Sequence, residues 1–127
     1  MVSFAELRME DGVPIYLQIV RYLKAAVAAG TVTDGEEMPS RRVLSALLGV
    51  NPNTVQKAYR MLEEEGLIRS HAGAKSFVSA PPERAEALRR ELPAWSAAAF
   101  VGQMKSMGLT RQETVALVER LWEEEET

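Results

Sequence analysis

Cysteine is absent from this sequence of 127 residues, and histidine occurs once, as His71. A chain without thiols has no disulfide, thiolate nucleophile or cysteine metal site, and a lone histidine cannot build a histidine cluster. Carboxylates could still perform acid–base chemistry or bind magnesium, so the composition weakens an enzymatic function without eliminating it. We therefore expect no catalytic residue, no metal ligand and no cofactor.

Long apolar runs are also missing. No stretch approaches the roughly 20 apolar residues that span a bilayer, and residues 1–11 alternate apolar with charged side chains instead of forming a signal-peptide core. Hydrophobic residues make up 46% of the chain and charged residues 26%, which is the ordinary balance of a globular domain. These features predict a folded, cytoplasmic protein that does not contact a membrane.

Charge is unevenly distributed along the chain. Acidic residues outnumber basic ones by 18 to 15, yet residues 38–62 and 66–82 contain no Asp or Glu. A local basic patch on an acidic protein is typical of a single face that meets phosphates. Chance clustering on a solvated face is the alternative explanation.

Two helices are predicted in the first fifty residues. The first starts at Pro14, carries apolar residues every three or four positions and stops at Gly30. The second begins after Ser40, its predicted N-cap, and ends at Gly49. Its apolar face is formed by Val43, Leu44, Leu47 and Leu48.

A third helix follows almost at once, with Asn51 as its N-cap and Pro52 in its first turn. Its buried stripe is predicted to be Val55, Ala58, Tyr59 and Leu62. Its outward face carries Asn53, Gln56, Lys57 and Arg60. Two short helices joined by a glycine turn, the second presenting amide and basic groups, are typical of a helix-turn-helix whose second helix enters the major groove.

Two short apolar segments, 67–70 and 76–79, flank a loop of small residues and predict a β-hairpin, the wing of a winged helix. Pro81 and Pro82 mark the predicted domain boundary. The expected fold is mainly α with a small hairpin wing: a winged helix-turn-helix domain over residues 1–80 and a helical dimerisation tail over residues 81–127.

The tail has helical composition on both sides of Pro93, which must begin a new turn or kink a longer helix. Thr110 and Glu113 form a capping box for the last helix. The many large apolar residues indicate that the tail packs against a second copy; the alternative is that it folds back on its own winged helix. The predicted dimerisation residues are Trp95, Phe100, Met104, Leu117, Leu121 and Trp122.

Several ordered motifs make residues 13–79 resemble the GntR family of bacterial transcription regulators. They are Pro14-Ile15-Tyr16, Met38-Pro39-Ser40-Arg41-Arg42, Gly49-Val50-Asn51-Pro52-Asn53-Thr54-Val55, Leu62-Glu63-x-Glu65-Gly66-Leu67-Ile68 and Ser76-Phe77-Val78. The short tail resembles the two-helix dimerisation tail of the YtrA subfamily. The resemblance implies a homodimeric regulator, expected to be a repressor, that binds a two-fold symmetric operator in double-stranded DNA.

The resemblance also assigns roles to particular residues. Arg42 falls at the position of the family's helix arginine, a phosphate or base contact, and Gly73 at the wing-tip glycine. Lys75 replaces the family's second wing glycine and adds a phosphate contact. The predicted DNA-binding residues are Ser40, Arg41, Arg42, Asn51, Asn53, Thr54, Gln56, Lys57, Arg60, Gly73 and Lys75. For Asn51 a plain helix cap, and for Gly73 a simple turn, remain alternative roles.

Side-chain chemistry supports this division of roles independently of the resemblance. The amides of Asn53 and Gln56 can pair with the major-groove edge of adenine, whereas Thr54 and Lys57 suit phosphates. A rival function is a winged-helix module that docks a protein through its apolar tail. An enzyme would have to use the glutamates of residues 63–65, which a solvated helix end explains better.

Regulators of this kind commonly respond to a small molecule, so an effector of unknown identity is a further expected partner. A cavity lined by Trp95, Met104 or Trp122 could accept an apolar effector. Aromatic and methionine side chains at helical spacing are more typical of a packed core, and the core interpretation is preferred.

Overall fold

A computed structural model describes residues 1–71 and 75–126 of the chain. Within these residues it contains the helices and strands α1 (Ile15–Ala29), α2 (Arg41–Leu48), α3 (Pro52–Glu64), β1 (Ile68–Ser70), β2 (Ser76–Val78), α4 (Pro82–Ser106) and α5 (Arg111–Glu126). The predicted fold class, mainly α with a small β-hairpin, is confirmed. The chain divides into two compact units, residues 1–90 and residues 91–127.

Local signals at the helix ends act as predicted. The Oγ atom of Ser40 accepts a hydrogen bond from a backbone N–H in the first turn of α2, and the Oδ1 atom of Asn51 does the same for α3. Gly30 and Gly49 adopt left-handed conformations, with φ of 81° and 66°, directly after α1 and α2. A residue with a Cβ atom rarely adopts such angles, which is why each helix stops at its glycine.

Helix α3 lies at the centre of the first unit, packed against α1, α2 and β1. Its predicted stripe is buried, since Val55, Ala58, Tyr59 and Leu62 are at most 1% exposed. Full burial of one large apolar side chain contributes about 1.5–3 kcal/mol. The stripe therefore fixes which side of α3 faces the core and leaves the opposite side in solvent.

The apolar face predicted for α2 is only partly buried. Leu44 is inaccessible, whereas Val43 and Leu47 are 53% and 58% exposed. Ser45 is buried instead, because its hydroxyl donates a 2.6 Å hydrogen bond to the Val50 carbonyl beyond the helix end. The Ser45 hydroxyl thus satisfies the Val50 carbonyl in the turn after α2. Apolar periodicity alone places Ser45 outside the buried face of the helix.

The N-terminal segment, which has no predicted helix or strand, contributes to the core. Val2 and Phe4 are 4% and 1% exposed, and the Val2 amide donates to the Glu37 carbonyl at 2.9 Å. The Gln18 side chain in α1 fastens the same segment: its Oε1 accepts from the Glu10 amide at 2.8 Å and its Nε2 donates to the Glu10 carbonyl at 3.0 Å. The segment is therefore part of the first unit's packing.

The predicted hairpin is present, with Ile68 paired to Val78 and Arg69 to Phe77 in antiparallel register. On the other edge of β2, Glu37 pairs with Phe77 in an isolated antiparallel bridge. The predicted wing tip, Gly73, lies outside the described residues, which resume at residue 75.

The second unit contains the C-terminal part of α4 together with α5. Pro93 lies inside α4, so the two predicted segments form one helix. The predicted capping box is present: the Thr110 amide donates to Glu113 Oε1 at 2.9 Å, and the Glu113 amide donates to Thr110 Oγ1 at 3.1 Å. Along the described parts of the chain, no helix combines the length and apolar character needed to cross a bilayer.

Candidate nucleic-acid interface

The side of α3 opposite its buried stripe presents polar and basic side chains to solvent. Asn53, Lys57 and Arg60 are exposed, and Thr54 and Gln56 are partly exposed. No acidic residue occupies the first turn of either α2 or α3, so the positive ends of both helix dipoles carry no compensating carboxylate there. The surface has the donors, acceptors and positive charge that a DNA groove requires.

The predicted DNA-binding residues at the starts of α2 and α3 fall into two groups: those that cap their own helix and those that do not. Ser40 and Asn51 are exposed, but their side-chain oxygens already cap the backbone of their own helices. Capping is therefore a demonstrated role of both. Arg42 is exposed on the first turn of α2.

The Arg41 side chain is partly buried and contacts other side chains of the protein. Its side chain is 28% exposed, its Nη2 lies 3.3 Å from Glu63 Oε1, and its guanidinium carbon lies 5.1 Å from the centre of the Tyr59 ring. The Glu63 carboxylate offsets part of the positive charge of Arg41, which the sequence analysis predicts to contact DNA. Arg41 therefore joins the start of α2 to α3 as well as adding positive potential.

The hydroxyl of Tyr59 donates a 2.6 Å hydrogen bond to the Pro39 carbonyl. Burial raises the pKa of this hydroxyl well above its ordinary value, and the nearby Arg41 opposes the increase only in part. The phenol therefore keeps its proton and remains a donor. This bond fixes the backbone immediately before α2, where Ser40 and the two arginines follow.

Lys57 lies on the exposed side of α3 but has a partner in α1. Its Nζ atom is 4.1 Å from the centre of the Tyr16 ring, within the range of a cation–π interaction. Such a contact leaves the charge intact and orients the side chain. Lys57 is thus a positioned cation on the candidate interface.

The glutamates at the end of α3 are exposed, and two of them also form pairs with other elements. Glu63 Oε1 accepts from Arg41 and also from the Ser70 hydroxyl at 2.6 Å. Glu65 forms a 2.6 Å ion pair with Lys24 of α1. These pairs connect residues far apart in sequence, so they hold α1, α2 and β1 against the end of α3.

The wing places further side chains beside the predicted Lys75. Lys75 is exposed and shares a cavity of about 380 Å³ with Arg69, His71 and Phe77. Arg69 and His71 were not predicted as site residues. Strand alternation is the signal that could have identified them, because alternate residues of a hairpin share a face.

The predicted dimerisation residues lie on α4 and α5 and remain accessible in the protomer. Trp95, Leu121 and Trp122 are 61%, 45% and 67% exposed. Phe100, Met104 and Leu117 are partly exposed. In the second unit, Phe100 and Trp122 contribute to the lining of an open apolar cavity of about 490 Å³.

Two helices joined by a glycine turn, with a hairpin after the second and a polar, basic outer face on that helix, define a winged helix-turn-helix protein of the DNA-binding class. Residues 15–78 match the family described as "Bacterial regulatory proteins, gntR family". The chain belongs to the GntR family and is a DNA-binding transcriptional regulator. The members of that family are bacterial regulatory proteins.

Relatives in Bacillus subtilis (strain 168) agree with this assignment. The HTH-type transcriptional regulator YhcF is 31% identical over 106 residues, which cover 84% of this chain and 88% of YhcF. The HTH-type transcriptional repressor YtrA is 41% identical over 66 residues, which cover 52% of this chain and 51% of YtrA. The similarity to YhcF therefore extends into the tail.

Solved structures show the same architecture. A GntR family transcriptional regulator from Listeria monocytogenes superimposes with a TM-score of 0.74 at 31% identity, covering 88% of this chain and 98% of the other. The AraR(DBD), crystallised in complex with an operator, gives a TM-score of 0.50 at 27% identity, covering 57% of this chain and 89% of the other.

Proposed function

We propose that this regulator is a sequence-specific repressor that binds a two-fold symmetric operator as a homodimer and acts by occupying it. The observation that carries the proposal is the outer face of α3, where Gln56 and the exposed Asn53, Lys57 and Arg60 lie opposite a fully buried stripe. A helix anchored on one side and polar on the other is suited to insertion into the major groove. The printed name of YtrA, a repressor, supports the direction of regulation.

Within this proposal, side-chain chemistry assigns the contacts. Asn53 and Gln56 read base edges, because an amide presents a donor and an acceptor together. The other predicted DNA-binding residues contact phosphates or position the protein backbone. They are Ser40, Arg41, Arg42, Asn51, Thr54, Lys57, Arg60, Gly73 and Lys75.

The tail supplies the dimer contact in this proposal. Residues 1–80 form the DNA-binding domain and residues 81–127 the dimerisation tail. No residue of α5 is buried in the protomer, although Trp122 and Leu121 are large and apolar. A second copy would cover them, so we assign the open cavity beside Phe100 to the dimer core rather than to a small-molecule effector. The proposed location is the cytoplasm, where the DNA target lies.

Selection of bound sequences from random duplex DNA by the full chain tests this function. We expect enriched sequences to be palindromic, with half-sites one helical turn apart, about 34 Å centre to centre. A double variant, Asn53→Ala with Gln56→Ala, should enrich no motif, while Arg90→Gln, an exposed control on α4, should enrich the wild-type motif. An asymmetric motif would contradict the dimer, and no enrichment would contradict sequence-specific binding.

Salt dependence provides a second test of the same interface. Each phosphate neutralised by a basic side chain releases counterions, and the slope of log affinity against log salt changes by about 0.9 per contact. Titration of the full chain with its selected duplex at several salt concentrations should therefore give a steep slope. An affinity that does not change with salt would contradict a phosphate interface.

A further inference from the structure

A single carboxylate oxygen at the end of α3 joins three elements of the first unit. Glu63, in the last turn of α3, accepts a hydrogen bond at Oε1 from Ser70 Oγ of β1 at 2.6 Å. The same oxygen lies 3.3 Å from Arg41 Nη2 at the start of α2. Hydrogen bonds to an ionised acceptor are stronger than those between neutral groups. The carboxylate therefore holds both α2 and the hairpin to α3.

The contacts of Glu63 continue through the hairpin and return to α2. A hydroxyl has a single hydrogen to donate, so the Ser70 hydroxyl that donates to Glu63 accepts from Ser76 Oγ, 3.3 Å away. Ser76 is 3% exposed, and its carbonyl accepts from the Met38 amide at 2.8 Å, three residues before Arg41. The contacts thus form a closed ring that begins and ends at Glu63.

Arg41 is restrained on two sides in this arrangement. Its guanidinium carbon lies 5.1 Å from the centre of the Tyr59 ring, opposite in role to the Glu63 carboxylate. Its Nε atom is buried and has no hydrogen-bond partner among the residues that the structure describes. A planar guanidinium fixed by a carboxylate and an aromatic ring keeps its charge in one place. Glu63 consequently determines where the positive charge of Arg41 lies.

We propose that Glu63 is a positioning residue for operator recognition: by holding Arg41 and Ser70 it fixes the start of α2 and the hairpin relative to α3, and so favours the operator over other DNA. The inference rests on the proposed function and adds to it a residue that does not itself contact DNA. An exposed acidic side chain repels DNA of any sequence. Positioning instead affects the duplex whose bases match the aligned side chains. Comparison of two duplexes separates these effects.

The test is competition binding by the full chain between its selected operator and a shuffled duplex at constant ionic strength. The ratio of the two affinities, the discrimination ratio, should fall about tenfold in Glu63→Ala, the order of one hydrogen bond to a charged group. A variant that is merely less stable contains less folded protein, which lowers both apparent affinities by the same factor. The discrimination ratio therefore reports positioning and does not report stability.

Glu64→Ala is the matched control, because it removes the same charge from the next, exposed position of α3. Glu64 forms no hydrogen bond or ion pair with the part of the chain that the structure describes. Its replacement should raise the affinity for both duplexes by the same factor, at most about fivefold, and leave the discrimination ratio within about twofold of the wild type. A fall as large as that of Glu63→Ala would assign the effect to charge alone and overturn the inference.

Glu63→Gln keeps an oxygen acceptor for both partners and loses the charge. It should retain most of the discrimination ratio, and a loss as large as that of Glu63→Ala would contradict positioning by hydrogen bonds. Ser70→Ala removes one donor without changing α3, so it tests the inference even where Glu63→Ala does not fold. Its discrimination ratio should fall about threefold, the order of one hydrogen bond. An unchanged ratio would overturn the ring.

A double-mutant cycle tests the route through Arg41. If Glu63 acts by holding this guanidinium, Glu63→Ala should reduce the discrimination ratio less in an Arg41→Ala background than in the wild type. Equal reductions in the two backgrounds would overturn the assignment of Arg41 as the positioned residue.

Two outcomes separate this inference from the proposed function. If the wild type discriminates between the duplexes and Glu63→Ala discriminates equally well, this inference fails and the proposed function stands. If the wild type binds both duplexes with the same affinity, sequence-specific recognition fails and this inference fails with it.

Discussion

At the scale of single residues, Tyr59 joins the core to the candidate interface. Its ring is 1% exposed within the α3 stripe, its hydroxyl donates to the Pro39 carbonyl, and its face supports the Arg41 guanidinium. The residue thus positions the start of α2 through contacts that no local sequence signal encodes. Its hydroxyl and its ring can be tested separately.

Tyr59→Phe keeps the ring and removes the buried hydrogen bond. We expect the free energy of unfolding to fall by about 1–3 kcal/mol, because the Pro39 carbonyl loses its donor in a place that water does not reach easily. Urea denaturation of the full chain measures the change. Tyr22→Phe, at a partly exposed tyrosine that contacts Phe4 through its ring, is the control and should change stability by less than about 0.5 kcal/mol. Equal losses in both variants would contradict this role.

Gln56→Ala addresses base recognition at the same scale. Discrimination between the selected operator and a shuffled duplex should fall by about 1–3 kcal/mol, because an amide that reads a base edge is lost. Arg42→Ala should instead weaken binding to both duplexes to a similar degree if Arg42 contacts phosphate. Competition binding measures both variants. A loss for Gln56→Ala that is equal on the two duplexes would refute its role in base reading.

At the scale of elements, α5 begins with a complete capping box whose carboxylate is responsive to pH. The hydrogen bond from the Thr110 backbone, and then the one from its side chain, lowers the pKa of Glu113 below 4.5. A carboxyl whose pKa is lower in the folded state stabilises that state above pH 4.5, and the contribution is lost as the pH falls through the folded value. The start of α5 is therefore weakened by acid.

Replacing Glu113 by Gln keeps an amide that can still cap the helix and removes the titrating charge. We expect the wild type to lose more helical circular dichroism than Glu113→Gln when the full chain is acidified from neutral pH to below pH 4.5. Glu119→Gln, an exposed position on the same helix, should follow the wild type. If Glu113→Gln follows the wild type as closely, the capping carboxylate is not the responsive group.

At the scale of the whole molecule, the central proposal concerns the exposed apolar surface of the second unit. Residues such as Trp122 and Trp95 are more than 60% exposed, on a pair of helices with little buried surface of their own. Covering this surface with a second copy would also link two recognition helices. Dimerisation and operator affinity should therefore be lost together.

Leu121→Asp places a charge in the proposed dimer contact and should shift the protein to monomer in sedimentation experiments. Operator affinity should fall by about a hundredfold or more, because two half-sites are no longer bound by one linked molecule. Gln112→Ala, at an exposed polar position on α5, should leave both quantities unchanged. A wild type that is monomeric, or a Leu121→Asp variant that remains dimeric, would contradict the dimer contact.

Sequence reasoning succeeded where the responsible contacts are local. The C-terminal end of α1, both ends of α2, the start of α3, the stripe of α3, the hairpin and the Thr110 box all depend on residues a few positions apart. It failed where partners are distant in sequence. The burial of Val2 and Phe4, the Arg41–Glu63 pair and the Lys24–Glu65 pair all depend on residues of different elements, and apolar periodicity does not predict them.

The sequence by itself determined the caps of α2, α3 and α5 and the buried side of α3, because each follows from spacing along the chain, and its motifs resemble those of the GntR family. Only the tertiary structure decided which charged and basic side chains lie next to each other. It pairs Arg41 with Glu63, and it brings Arg69 and His71 beside Lys75 on one face of the wing. The physical reason is that electrostatic interactions depend on distance in space, which folding sets and linear order does not.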